Sequence, residues 1–278
     1  VQALKRFSNN FQTIMQGKVA IITGSSAGIG KALAIALGER GAGIVLNGRN
    51  EQKLESTRGA LAEQGLRVVA VPGDVSNYED CRRLVRRAVD HFGKIDILIN
   101  NAGLAMEGEV EHLHPDTLKK IVEVNFLGAA YITQLAIPHI RATQGNILFI
   151  SSLAGIHGLP GFSAYSASKM ALSALAESLK IELNGTGVHV GVAYVGFTEN
   201  DPNKTIYRAD GQLETLPRRQ NVKVTPVEKV ARRLIRKLER RRHKSIFSSL
   251  GKILFFTKRL SPALVERILT NSYRRKTR

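Results

Sequence analysis

The sequence predicts an α/β fold: a doubly wound parallel sheet in a single domain, followed by a helical, basic C-terminal extension. Two observations carry the sheet. Six short runs rich in Val, Ile and Leu recur up to residue 196, each ending in Gly, Asn, Asp or Ser, and helical stretches of ten or more residues lie between them. Strands apolar on both faces and separated by helices imply a parallel sheet covered on each side, with ligands bound beyond the carboxyl ends of the strands. A third observation, a strong bias of positive charge to the C-terminal end, sets the extension apart.

The first strand, KVAIITG at 18–24, runs through TGSSAGIG into the helical run GKALAIALGERG at 30–41. Gly24, Gly28 and Gly30 permit a tight turn and close approach to a pyrophosphate, and the helix start offers unpaired N–H groups. Ser26 and Ile29 of the same loop are counted with them as cofactor contacts. The second strand, GIVLNG at 43–48, ends without an acid to receive the adenine-ribose hydroxyls. Gly48 leaves room and Arg49 brings a guanidinium, which suits a 2′-phosphate and makes NADP(H) the expected cofactor. A solvated surface arginine is the alternative.

The third strand, RVVAVPGD at 67–74, ends at Asp74, placed to accept from the adenine amino group with Val75 beside the ring. A loop-terminating carboxylate is the competing reading. The fourth, IDILINNAG at 95–103, ends in Asn101, Ala102 and Gly103, a small turning backbone past which a cofactor can run. A long helix is expected over 114–140, with Asn125 as an amide inside an apolar run, where it needs a partner or a task. The fifth strand, GNILFISS at 145–152, delivers Ser152 to the sheet edge.

Helix 163–183 carries Tyr165 and Lys169 four residues apart on one face, with Met170, Leu172, Leu175, Leu179 and Leu183 as its expected buried stripe. A tyrosine with an ordinary pKa near 10 is a poor base at neutral pH, and a nearby ammonium favours its phenolate. The sixth strand is VHVGVAYVG at 188–196.

TGSSAGIG, NNAG, Asn125, Ser152 and the YSASK run, taken in order, resemble the short-chain dehydrogenase/reductase family over roughly residues 17–196. The resemblance implies a sheet of Rossmann type and a tetrad of Asn125, Ser152, Tyr165 and Lys169. It makes Tyr165 the general acid/base and has Ser152 steady the substrate oxygen. Lys169 would bind the nicotinamide ribose and lower the tyrosine pKa, and Asn125 would hold a water in a proton relay. One departure is Val195 where the family commonly has proline; Thr198, slightly early, is placed at the nicotinamide carboxamide. The implied activity is NADP(H)-dependent interconversion of a ketone or aldehyde with an alcohol. Reduction of acyl-carrier-bound 3-ketoacyl groups and a catalytically silent NADP(H)-binding scaffold are the alternatives.

The expected division is a lead at 1–16, a domain at 17–243 with a substrate-covering segment at 197–225, and an amphipathic extension at 244–278. Of the net charge of +18, nearly all lies late: residues 218–278 hold 20 Lys and Arg against three acids, and the rest hold 21 against 20. The tail resembles those of membrane-associated hydroxysteroid and lipid-keto reductases, which implies a lipophilic substrate. Its partners are read as an anionic membrane surface or an acidic carrier protein, with solubility or subunit contact as the plain alternative. Nucleic acid is not expected, since no recognition fold accompanies the charge. The single Cys81 excludes an internal disulfide. The expected setting is cytoplasmic with peripheral membrane attachment, and a homodimer or homotetramer is expected by resemblance. The seven histidines suggest no metal site; His112 and His114 read as a loop before a helix.

Overall fold

The computed structural model describes residues 15–199, 201–202, 204–216 and 224–276. Most of the expected lead, and 217–223 of the expected covering segment, therefore lie outside the described residues. Seven parallel strands form the main sheet in the order β10-β7-β6-β4-β1-β2-β3. They are β1 (Val19–Ile22), β2 (Gly43–Gly48), β3 (Val68–Pro72), β4 (Ile97–Asn100), β6 (Asn146–Ser152), β7 (His189–Val195) and β10 (Lys244–Ile246). The order in which strands are added reverses at β1, which pairs in parallel with β2 on one side and β4 on the other. That is the switch point where such sheets open a crevice.

Alternation along the strands separates two cores. Val19 and Ile21 face one cluster and Ala20 and Ile22 the other. The first cluster is closed by α3 (Tyr78–Phe92), α5 (Gly128–Ala142) and α6 (Ser163–Glu182); the second by α1 (Gly28–Gly38), α2 (Glu51–Glu63) and α7 (Val227–Glu239). Helix α3 carries both end signals expected of its sequence: Asn77 accepts from the amides of Glu79 and Asp80, and Gly93 closes it in the left-handed region. The stretch Pro115–Ala142 is long and apolar enough to cross a membrane by length and composition. Here Ile121, Ile132, Ala136 and Ile140 are fully buried within the domain. Cys81 is buried in α3, where burial and then the Asp80 and Asp74 carboxylates push its thiol up to about 12.

Three features depart from the sequence expectation. The long helix runs unbroken over Pro115–Ala142 but is not regular: between α4 (Pro115–Val122) and α5 it makes a π turn at Glu123–Leu127 centred on Asn125. A second sheet, β5 (Met106–Glu107), β8 (Thr205–Arg208) and β9 (Leu213–Thr215), stands beside the first and is braced by Arg208 between Glu107 at 2.8 Å and Glu214 at 2.6 Å. The tail continues the fold: β10 pairs with β7, so the sheet reaches past residue 243, and α8 (Ser249–Leu260) and α9 (Pro262–Lys276) follow as a hairpin.

Candidate active site

The loop after β1 is held from both neighbouring strands. Thr23 Oγ1 accepts from the amides of Asn101 and Ala102, each at 3.0 Å, and Asn101 Nδ2 donates to the carbonyls of Thr23 and Gly24 at 2.9 Å. From β2, the Asn47 amide donates to Ser25 Oγ at 3.0 Å. Two glycines are obligatory here. Gly24 has φ +62°, and a β-carbon on Gly30 would lie 2.4 Å from the Gly24 carbonyl oxygen and 2.6 Å from Asn101 Nδ2. The loop leads into α1, whose Ala27 cap makes no side-chain hydrogen bond, so the first amides of the helix stay open.

This loop borders a crevice of about 560 Å³ that reaches Arg49, Asp74, Val75, Ala102 and Gly103. Arg49 is half exposed and its nearest anion is Asp74, at 3.9 Å. Asp74 is more firmly engaged elsewhere. Its Oδ1 accepts from the Ser76 amide and hydroxyl at 2.9 and 2.7 Å, and its Oδ2 accepts from Lys120 at 3.3 Å. Burial works against ionisation, yet the Ser76 bonds and the Lys120 ammonium together hold the carboxyl below its ordinary range. Asn47, buried in β2, ties the crevice wall together by donating to the carbonyls of Val71 and Gly73 at 3.2 Å.

At the other end of the crevice Gly103 links the cofactor loops to α6. A β-carbon there would lie 3.2 Å from Lys169 Nζ and 3.3 Å from Asn125 Oδ1. Lys169 is buried, donates to the Ile150 carbonyl at 3.1 Å and sits 5.9 Å from the centre of the Tyr165 ring. Burial, with Lys204 second, pulls its pKa down to about 8. Tyr165 is half-buried and, like Leu104 and Tyr207, packs against the cluster of Met106, Leu113, Ile121 and Ala164. Ser152 ends β6, and its hydroxyl oxygen accepts from the Ala154 amide at 3.3 Å, which leaves the hydroxyl hydrogen to donate. Asn125, fully buried, accepts from the Leu104 amide at 2.7 Å and donates to the Leu104 carbonyl at 2.9 Å and to Ser168 Oγ at 3.0 Å. The π turn aims this amide at Leu104, and both of its N–H groups are used within the protein.

Residues 18–211 match the family described as short chain dehydrogenase. The chain belongs to the short-chain dehydrogenase/reductase family. It is an oxidoreductase of that family, whose members bind a nicotinamide cofactor and act on small molecules. It is 34% identical over 268 residues to 11-beta-hydroxysteroid dehydrogenase 1A of Arabidopsis thaliana, spanning 94% of this chain and 76% of that one. It is 33% identical over 228 residues to 3-ketodihydrosphingosine reductase of Bos taurus, spanning 80% of this chain and 68% of the relative. A short chain dehydrogenase/reductase from Burkholderia phymatum, solved in complex with NAD, shares the fold with a TM-score of 0.79 at 24% identity, over 90% of this chain and 95% of that one.

In this short-chain dehydrogenase/reductase the glycine cradle fits a dinucleotide: Gly24 and Gly30 let the loop pack directly on Ala102 and Asn101, and a β-carbon on Gly28 would meet nothing within 4 Å, so open space remains beside the free amides of α1. Of the residues expected at the cofactor, Gly24, Ser26, Arg49, Asp74, Val75, Ala102 and Gly103 line the crevice. Gly28 and Gly30 shape its loop from within α1, and Ile29 packs against the second core. Asn101 acts on the loop rather than facing the crevice. Thr198 is set apart: with Leu153, Val195 and Phe197 it borders a smaller cavity of about 230 Å³ past the end of β7. Asn47 and Leu104 were not picked out from the sequence. Asn47 stood inside an apolar strand and was the one available signal; Leu104 takes part through its backbone and had none. His114 caps α4, while His112 lies beside Glu109 and Glu111 with all three exposed.

Proposed function

We propose that the protein is an NADP(H)-dependent reductase that interconverts a lipophilic ketone or aldehyde with its alcohol, using Tyr165 as general acid/base. The observation that carries this reading is the buried Lys169 ammonium, 5.9 Å from the Tyr165 ring and reaching Gly103 at the crevice. A cation held in a poorly solvated place favours the phenolate of its neighbour, which lets a tyrosine exchange a proton near neutral pH.

The nicotinamide, when bound, supplies or accepts the hydride. The chain's own residues do the rest. Tyr165 gives its proton to the substrate oxygen during reduction and takes it back in oxidation. Ser152, its oxygen anchored on Ala154, donates a hydrogen bond to the same oxygen. Lys169 holds the positive charge and would bind the nicotinamide ribose. Asn125 fastens the 103–104 backbone; with both N–H groups engaged, any water it holds is bound through an oxygen. The preference for NADP(H) rests on Arg49, whose nearest carboxylate, Asp74, is already engaged by Ser76 and Lys120.

The lipophilic substrate is inferred from the hydroxysteroid dehydrogenase and ketodihydrosphingosine reductase relatives. We favour an anionic membrane surface over an acidic carrier protein as the tail's partner, because Leu250, Ile253, Phe256, Leu260, Leu264 and Ile268 are all exposed along the hairpin among its cations. The test is NADPH oxidation with a panel of steroid, long-chain keto-lipid and simple ketones. Turnover is expected with at least one apolar ketone, and Tyr165→Phe is expected to lower kcat about 1,000-fold while NADPH still binds. Unchanged turnover in that variant would remove the tyrosine from the reaction.

A further inference from the structure

The C-terminal hairpin lies against the turn that carries Ser152. That turn, a 3₁₀ segment at Leu153–Gly155, follows β6 directly and contains the Ala154 amide on which the Ser152 oxygen rests. From α8, 102 positions further along the chain, Lys258 Nζ donates to the Ile156 carbonyl at 2.6 Å. At the start of the same helix a β-carbon on Gly251 would lie 2.4 Å from Leu153 Cδ2, so helix and turn meet with no spare volume. Between these two contacts Leu254 and Phe255 pack against the core cluster that includes Leu153 and Ile156. The base of the helix is fixed in turn. The Phe247 amide donates to the Tyr194 carbonyl of β7 at 3.1 Å, and Ser248 caps α8 at the Gly251 amide at 3.0 Å. On the far arm, Tyr273 of α9 hydrogen-bonds Glu109, in the loop after β5.

We propose that Lys258 is a positioning residue for the reaction: through the Ile156 carbonyl it holds the 153–157 turn, and with it the orientation of the Ser152 hydroxyl. The basic tail then acts on the reacting end of the site as well as on the protein's surroundings. A charged donor suits this place because the bond is part-buried and its acceptor residue Ile156 is buried, and a charge-assisted hydrogen bond is about twice as strong as a neutral one. The inference rests on the proposed reaction for its kinetic consequence, and on the geometry alone for the clamp itself.

The test is Lys258→Met in the full chain, with Lys258→Arg as the conservative partner. The Ile156 and His157 amides, which donate to the Leu153 carbonyl at 3.0 and 3.4 Å, report the turn directly by hydrogen exchange. In Lys258→Met they are expected to exchange about tenfold faster, and kcat/KM for the carbonyl substrate is expected to fall about tenfold with NADPH affinity unchanged. Lys258→Arg is expected to restore both. Unchanged exchange in Lys258→Met overturns the proposal, as does a uniform loss of NADPH affinity and melting temperature, which would mark a general weakening. If the wild-type protein reduces no carbonyl, the reading of the reaction fails, and hydrogen exchange at the two amides still decides the clamp.

Discussion

In the role proposed for it, Lys169 serves the reaction at the expense of the fold. Its pKa is held at about 8 against an ordinary 10.5, first by burial. Between those values the unfolded chain binds more protons than the folded one, so stability rises with pH through that window. Below pH 8 the whole cost of the buried charge is present, roughly 3 kcal/mol. Lys169→Met removes that cost and loses a hydrogen bond to Ile150 worth about 1 kcal/mol. The cofactor-free variant is therefore expected to be more stable than wild type by about 2 kcal/mol at pH 7, to lose most of that advantage by pH 10, and to be inactive. Urea midpoints at the two pH values measure it, and a less stable variant at pH 7 would contradict the assignment. Arg49 is tested more simply. Arg49→Ala is expected to weaken NADPH about 30-fold and leave NADH unaffected, as read by fluorescence titration. Equal losses for both cofactors would mean that Arg49 does not meet a 2′-phosphate.

Among the elements, the π turn and α6 show where periodicity stops being a guide. The sequence implied a helix over 114–140, which is there, but its apolar spacing carries on through Asn125 and gives no sign of a π turn. The extra residue in the turn has its reason in three dimensions: it brings the amide to the Leu104 backbone. Asn125→Ala would leave the Leu104 amide and carbonyl and the Ser168 hydroxyl without this partner in a buried place. A loss of about 3 kcal/mol is expected in denaturant unfolding; a loss below about 1 kcal/mol would show that water replaces the side chain. Along α6 the expected stripe is right at Leu172, Leu175 and Leu179, and at Leu183 just past its end, but Met170 is 38% exposed. Ser168, Lys169 and Ser173 take buried positions instead, Ser173 receiving the Tyr194 hydroxyl at 3.1 Å. A helix face built for a site buries polar groups that hydrophobic spacing leaves out.

At the scale of the whole molecule the charge divides the protein in two. The body is nearly neutral, and the basic excess begins where the chain turns towards α7 and the hairpin. Helix α7 buries Val230, Leu234, Ile235 and Leu238 against the second core and exposes Arg232 and Arg236, while Arg233 donates to the Phe247 carbonyl at 2.9 Å. The hairpin differs, since Ile253 and Leu260 stay 62% and 86% exposed. Such a surface, with each nearby cation worth about 1 kcal/mol at an anionic bilayer, is expected to bring the protein down with phosphatidylserine vesicles at low salt and release it at high salt. Ile253→Asp with Phe256→Asp is expected to abolish co-sedimentation while leaving NADPH affinity unchanged. Binding that persists in the double variant would assign the attraction to the rest of the basic surface.

The alternation of strand and helix and the glycine loop could be read in one dimension, and the roles proposed for Arg49, Tyr165, Lys169, Ser152 and Asn125 start from the same reading. Each is expressed in local spacing and in the chemistry of a short segment. Tertiary structure alone decided that Asn101 and Asn125 hold backbone, that a second sheet stands beside the tyrosine, and that the tail reaches the Ser152 turn. Those contacts join residues as far as 102 positions apart. Nothing in local periodicity records such a meeting, because it exists only once the sheet has brought the two segments together.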